Sequence, residues 1–422
     1  MEETMLRVME LSAAAVSLLL MGACGVQLLL RLTRVLRGQE RADGMETPAP
    51  HAPARDLLAA AGLALVTRLL LYGLAYAMYR AQGGGDGFFA SFEPLWTHWD
   101  TRHYTGIARE GYTSVGDERL RLVFFPLYPA LMRLLSPLTG GNVFFAGVLI
   151  SLACASGAAA LLCELAYGLG GRDMARRSTA YFLLSPLSVF LCCAYTEALF
   201  ICLTLAAVCL LRRGHPWLAA LCGMASAMTR MPGVIIAGLM LIALLGRIGQ
   251  GRCTVRAVLA CAGQMLLVFG GLLVYWGINW LVTGDPMTYM VYQKENWFQE
   301  PGTFWGSTSN TMHYFLTTMG DDDWLFTWSF QLLCMLGMYL LLATRAQALP
   351  FDLAAYSFVY VAVVLAPTWL LSAPRYLYAL CTLPLLLAGL PMGRRGHAAA
   401  LTLSSALLVV WTYGYVIAVE VL

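Results

Sequence analysis

The sequence predicts an all-α protein threaded many times through a membrane, and three observations predict it. Of 422 residues, 59% are hydrophobic and only 12% charged, against about a quarter charged in soluble domains. Mean hydropathy is +0.68. Apolar runs of membrane-spanning length recur from end to end, separated by short arginine-bearing connections. Together these exclude a soluble enzyme, a disordered tail and a secreted disulfide scaffold. A formal charge of +3 gives no reason to expect a nucleic-acid partner.

The first apolar run, Leu11 to Leu30, has acids before it and Arg31, Arg34, Arg37 and Arg41 after it, the reverse of a secretory leader, so it reads as a retained helix with its N-terminus outside. Twelve spans follow from hydropathy: 11–30, 57–80, 143–166, 179–195, 197–213, 217–230, 232–247, 257–283, 325–344, 353–371, 375–392 and 397–419. This threading puts Arg31 to Arg55, Arg172/Arg176/Arg177, Arg212/Arg213, Arg247/Arg252/Arg256, Arg345 and Arg394/Arg395 on one side, which the positive-inside rule makes cytoplasmic. The linker Arg37 to Asp56, with Gly44, Pro48, Pro50 and Pro53, is then a flexible cytoplasmic loop. Residues 124–138 are apolar but short, and counting them as a span would invert the Arg176/Arg177 cluster. They read as a juxtamembrane or re-entrant helix on the outer side. Pro232-Gly233 marks a reversal between two spans.

Two substantial loops lie outside, about 81–142 and 284–324, and most of the 24 acids fall on that side. Most of the 12 cysteines sit in apolar runs, where they pack as small hydrophobes. No zinc spacing, P-loop, glycine-rich nucleotide fingerprint or nucleophile elbow is present, and no internal repeat suggests a transporter's paired halves.

The first loop holds the densest chemistry, His98-Trp99-Asp100-Thr101-Arg102-His103-Tyr104. Trp99, His103 and Ile107 recur at i, i+4 and i+8, and Gly111 supplies a stop, so 101–110 reads as a short amphipathic helix at headgroup level. Asp100 falls at its N-cap position. A capping role and a catalytic role stand at even odds on spacing alone. As a catalyst, Asp100 would take a proton from an attacking hydroxyl.

Glu197 lies at the outer junction of two spans, where an ionisable group is costly unless paired or wet; a first-turn acid placed by the helix dipole is the alternative. Arg230 and Arg375 occupy short outer turns that positive-inside placement would leave free of arginine. Arginine pairs bidentately with phosphate, so two of them near an acid-bearing cavity suggest a phosphate or pyrophosphate site, with snorkelling to headgroups as the alternative. Arg68 and Glu164 lie deep in spans. Asp321-Asp322-Asp323 reads as a solvated helix start rather than a metal site, since consecutive turn residues seldom present three ligands to one ion.

These motifs, taken in order, resemble the PIG-V family, the mannosyltransferases that add the second mannose to glycosylphosphatidylinositol, and their prokaryotic relatives. His98-Trp99-Asp100 with His103-Tyr104 and Ile107 to Tyr112 resembles the family's first luminal loop. Phe124-Phe125-Pro126-Leu127-Tyr128-Pro129 resembles its FFPxxP segment. Ser185-Pro186 with Tyr195 to Phe200, Thr229-Arg230 with Gly233, and Arg375-Tyr376 resemble three further motifs. Thr196 replaces the usual serine, and Met231-Pro232 replaces Ser-Asn.

The resemblance implies a GT-C glycosyltransferase using a polyprenyl-phosphate sugar, most often mannose, on the extracytoplasmic face. It implies residues 57–283 as the catalytic module with external loop 81–142. Residues 1–56 would add an N-terminal span and linker, 284–324 an aromatic and acidic loop, and 325–422 the last spans. Compact loops suggest a bacterial member in the cytoplasmic membrane; a eukaryotic one would sit in the ER membrane. Transfer is expected to invert, with Asp100 as base and Glu197 beside it. His98, Trp99, Arg102, His103, Tyr104, Arg230, Lys294, Arg375 and Tyr376 are expected to bind substrate. No metal or cofactor is expected, the lipid-linked sugar being a co-substrate and a glycolipid or cell-envelope molecule the acceptor. A lipid or glycolipid transporter and a non-catalytic glycolipid-binding protein are the rival classes.

Overall fold

The computed structural model describes residues 3–43, 50–321 and 324–418, and these form helices with no strand among them. Gly44 and Pro48 of the linker and Asp322-Asp323 of the triple aspartate lie outside the described residues. In order the helices are α1 (Glu3–Leu36), α2 (Ala54–Ala81), α3 (Phe88–Trp96), α4 (Asp100–Glu110), α5 (Leu127–Leu135), α6 (Val143–Leu184), α7 (Glu197–Arg212), α8 (Pro216–Ala227), α9 (Ile236–Gly249), α10 (Val255–Thr283), α11 (Thr288–Trp297), α12 (Phe304–Thr317), α13 (Phe330–Arg345), α14 (Phe351–Val364), α15 (Ala373–Tyr378), α16 (Leu383–Ala388) and α17 (Arg394–Val416).

The chain is an all-α integral membrane protein; among the described residues seven helices are long and apolar enough to cross a bilayer by themselves, beside the twelve spans expected from hydropathy. One of the seven is α6, which a kink at Gly170–Gly171 divides in two. They include α1, α2, α6, α10 and α17. An eighth arises if the bent pair Asp117–Val123 and Leu127–Thr139 is counted as one broken span. Its two arms meet at 108°, the geometry of either a broken span or a re-entrant loop.

The remaining apolar runs are cut by identifiable residues. Gly171, at φ +71, interrupts α6 beside Arg172, between the runs 143–166 and 179–195. Ser185, extended at ψ 143, ends α6 before Pro186, because a residue preceding proline is pushed out of the α region. A 3-10 turn, Pro186–Leu191, follows. Pro384 breaks the run 375–392 into α15 and α16. Hydropathy registers the apolar composition of these half-helices and misses their breaks.

Arg68 explains how one break is tolerated. Fully buried in mid-α2, it donates through its guanidinium to the carbonyls of Leu183, at 2.7 Å, and Ser188. Those groups lose helical partners where α6 stops, so the arginine completes a backbone that lipid cannot hydrate. Glu164 is paired likewise, with Arg213 and His51 at 2.8 Å each and the Ala52 N–H at 3.0 Å.

The predicted reversal at Pro232-Gly233 is present as a 3-10 turn, Met231–Ile235, between α8 and α9. A Cβ on Gly233 would stand 2.3 Å from the Ala227 nitrogen, so only glycine lets the turn close against the end of α8. The outer loop 284–324 holds two helices, α11 and α12. Three small polar residues of α12, Ser307, Thr308 and Thr311, are buried, and His313 reaches Glu10 of α1 at 2.8 Å.

Candidate active site

Four motifs distant in sequence converge where α4, α7, the α8–α9 turn and α15 begin or end. Glu197 is the first residue of α7 and 1% exposed. It accepts from Arg230 Nη1 at 2.7 Å, and the same oxygen, Oε1, lies 3.0 Å from Arg375 Nε. Arg375 donates through Nη2 to Asp100 Oδ2 at 2.6 Å. The result is a continuous ionic row, Asp100–Arg375–Glu197–Arg230, with two charges of each sign.

Burial makes this row costly unless it is paired, and pairing is what holds it. Aromatic faces surround the cations. The Arg375 guanidinium carbon lies 5.2 Å from the Tyr195 ring and 5.5 Å from Phe190, and that of Arg230 lies 5.1 Å from Tyr376. Pairing is nevertheless incomplete. Glu197 Oε2 and Arg375 Nη1 are buried without hydrogen-bond partners, and the Asp100 side chain stays 22% exposed. The row therefore has unused acceptor and donor capacity beside an accessible carboxylate.

Asp100 is not the cap of α4. The N-cap is Trp99, no side chain caps the helix, and the Asp100 carboxylate turns to Arg375 instead. Trp99 adopts φ +43 and ψ −115, a strained conformation for a non-glycine residue. That turn starts α4 with Asp100 aimed away from the helix end. Gly111 closes α4 at φ +87, as its spacing predicts.

Neighbouring segments fix the four motifs. The Leu127 N–H donates to the Met228 carbonyl at 3.0 Å, tying the FFPLYP segment to the turn that carries Arg230. Tyr128 anchors that segment through its hydroxyl, 2.8 Å from the Gly147 carbonyl. Tyr195 donates to the His98 carbonyl at 3.1 Å, and Tyr360 to the Tyr376 carbonyl at 3.0 Å. Gln331, fully buried on α13, donates to the Leu370 carbonyl at 2.7 Å and accepts from the Ala373 N–H at 3.1 Å, clamping the turn before Arg375.

The other sequence-selected residues divide. Tyr376 packs on both arginines, and Tyr104 is buried with its hydroxyl 3.5 Å from Thr196. The His98 ring lies against Trp99 and Tyr415, with Nε2 buried and unpartnered. His103 stacks on Phe124 at 4.6 Å, and burial, reinforced by Arg121 and Arg102 against the opposing pull of Asp100, lowers its pKa. Arg102 is exposed. Lys294 is not part of the row: it forms a surface ion pair with Glu300 at 2.7 Å, 64% exposed. Among the described residues no group of three or more His, Cys, Asp or Glu could hold a metal ion.

Gln331 and Tyr415 escaped sequence reasoning. Both sit in apolar runs, where a glutamine or tyrosine gives no sign of its partner.

The fold and this row define a polytopic membrane protein with a buried, mixed-charge site joined from separated motifs. Residues 89–259, which carry three of the row's four members, match the mannosyltransferase (PIG-V) family. Three similar proteins are all named GPI alpha-1,6-mannosyltransferase 2. The rat protein is 32% identical over 155 residues and the human one 31% over 155, each alignment covering 34% of this chain and 31% of the relative. The mouse protein is 27% identical over 217 residues, 49% of this chain and 42% of the relative. The chain thus matches between about a third and under half of these relatives' length. No solved structure matches it.

Proposed function

We propose that the protein transfers mannose from a polyprenyl-phosphate donor to a lipid-linked or cell-surface acceptor on the extracytoplasmic face, with inversion at the anomeric carbon. The observation that carries this reading is the ionic row itself: an accessible carboxylate in direct contact with a buried arginine that has a free donor. An acceptor hydroxyl attacks the anomeric carbon and forms the new glycosidic bond. The bond from that carbon to the phosphate oxygen breaks, and its electron pair leaves with the lipid phosphate. Asp100 takes the hydroxyl proton. Arg375, through its unpartnered Nη1, and Arg230 offset the charge on the departing phosphate. Glu197 holds the two arginines side by side, which their mutual repulsion would otherwise oppose.

The relatives' printed name points to a glycosylphosphatidylinositol-type acceptor and an α1,6 linkage. The lipid-linked class of acceptor suits a site carried by a membrane protein. A flippase or a non-catalytic glycolipid binder would need no carboxylate poised beside a free arginine donor.

Incubating membranes that contain the protein with labelled dolichyl-phosphate-mannose, followed by mass spectrometry of lipid products, tests the reading. The expected result is a mannosylated lipid absent from control membranes. Movement of labelled donor between leaflets without sugar transfer would establish the transporter instead.

A further inference from the structure

Tyr415 lies in the last turn of α17, in a run whose aromatic residues composition alone would assign to the lipid interface. It is instead fully buried and meets four rings. Their centroids are 5.1 Å away for Trp96, 5.2 Å for His98, 5.3 Å for Trp99 and 6.2 Å for Phe190. Its hydroxyl donates to the Trp96 carbonyl at 3.3 Å.

These contacts share a purpose. Trp96 ends α3 and Trp99 begins the turn into α4, so Tyr415 grips both ends of the elbow that aims Asp100. Trp99 holds φ +43 there, a conformation that persists only where its surroundings over-determine it. Phe190, on the other side of Tyr415, stacks on Tyr195 at 5.6 Å, and both rings lie against the Arg375 guanidinium. Tyr195 in turn donates to the His98 carbonyl. The contacts close a circuit that contains both members of the 2.6 Å Asp100–Arg375 pair.

We infer that Tyr415 is a positioning residue for the transfer reaction, setting the Trp96–Trp99 elbow and Phe190 as one block so that Asp100 stays registered against Arg375. The inference rests on Asp100 being the base. The ring carries the function, because the aromatic contacts reach both halves of the site while the hydroxyl reaches only the Trp96 carbonyl and the Cys193 thiol.

The test compares Tyr415→Leu, Tyr415→Phe and a control, Tyr339→Leu, in purified full-length protein. Tyr339 is equally buried and packs on Phe304, away from the row. Thermal stability, KM for dolichyl-phosphate-mannose and kcat are read together. Tyr415→Leu is expected to lower kcat about 100-fold with KM little changed, as misplacement of reacting groups does. Tyr415→Phe is expected to restore kcat to within about threefold, losing only the hydroxyl's weak hydrogen bonds to the Trp96 carbonyl and the Cys193 thiol. Tyr339→Leu is expected to lose stability but not kcat.

Equal kcat losses in Tyr415→Leu and Tyr339→Leu at equal loss of stability would overturn the inference, as would a fully active Tyr415→Leu. If Tyr415→Leu does not accumulate, Tyr415→Phe and Tyr415→Trp decide: a kcat in both that tracks stability alone rejects positioning. Asp100→Asn separates the two levels. An active Asp100→Asn removes the base itself, whereas an inactive Asp100→Asn beside an active Tyr415→Leu removes only the positioning role.

Discussion

The two ends of the molecule each bury acids against arginines, yet they do so differently. At the arginine-rich end, Arg212 Nη2 contacts both Asp352 oxygens at 2.7 Å, and the Leu353 N–H adds a third bond at 2.8 Å. Glu164 there collects Arg213, His51 and the Ala52 N–H. At the opposite end, Glu197 and Asp100 receive no backbone N–H among the described residues, share Arg375, and leave Glu197 Oε2 and Arg375 Nη1 without partners. Both oxygens of Asp352 and of Glu164 are thus engaged by backbone and cationic side chains, although Asp56 Oδ2 and Arg212 Nε at that arginine-rich end are also buried without partners. What sets the Asp100–Glu197 end apart is that the unpartnered atoms adjoin a carboxylate 22% exposed and lie in one shared ionic row.

Four substitutions would break or sharpen that contrast. The largest effect is expected from Asp100→Asn, which keeps shape but cannot accept the proton: transfer should fall about 10³–10⁴-fold with folding intact, measured as product formed per folded protein. Substantial residual turnover would remove Asp100 from the role of base. Next comes Asp352→Asn at the other end, expected to cost about 3–5 kcal/mol of stability by stranding buried Arg212. It should leave kcat of the surviving folded fraction unchanged, as read by thermal unfolding in detergent beside turnover. A matching loss of kcat would erase the distinction between the two ends.

Arg375→Lys preserves charge but replaces a planar fork with a single ammonium that cannot span Asp100, Glu197 and a phosphate. A fall in kcat of about 100-fold is expected, the scale of losing one transition-state donor; near-normal kcat would show that charge alone suffices. The smallest effect concerns His103. Burial lowers its pKa below 6.5, so the unfolded chain binds the proton first as pH falls. Stability should therefore be undiminished by this group above pH 6.5 and decline as pH drops below it. His103→Phe, which keeps the stack on Phe124, should flatten part of that decline in melting temperature. An unchanged slope would assign the decline elsewhere.

The class of fold was legible because a bilayer leaves an unmistakable mark on composition, and the four row residues were legible because each breaks a rule of that composition. Glu197 is an acid at a span end, and Arg230 and Arg375 are arginines on the side that should lack them. Asp100 was found for a partly wrong reason, since the helix begins at Asp100 and Trp99, not the aspartate, is its cap. Span count was less legible. Hydropathy treats a lipid-facing helix and a buried half-helix alike, so the breaks at Ser185-Pro186 and Pro384 disappeared into continuous runs, whereas the one at Gly171 fell between two expected spans. Gln331 and Tyr415 were illegible because their partners, a loop 39 residues away and an elbow more than 300 residues away, exist only in three dimensions.

Arg68 carries a consequence of a different kind. The break after α6 lets the chain turn and start α7 with Glu197 at the site, but a broken backbone inside a bilayer would ordinarily draw in water. A wetted break beneath an ionic cluster would be a pathway for proton leak. Filling it with a guanidinium closes the gap with donors aimed at both freed carbonyls, leaving water no backbone group to hold there. By that reasoning the residue insulates: it allows a charged workplace to be built among membrane helices while the broken backbone beneath it stays dry.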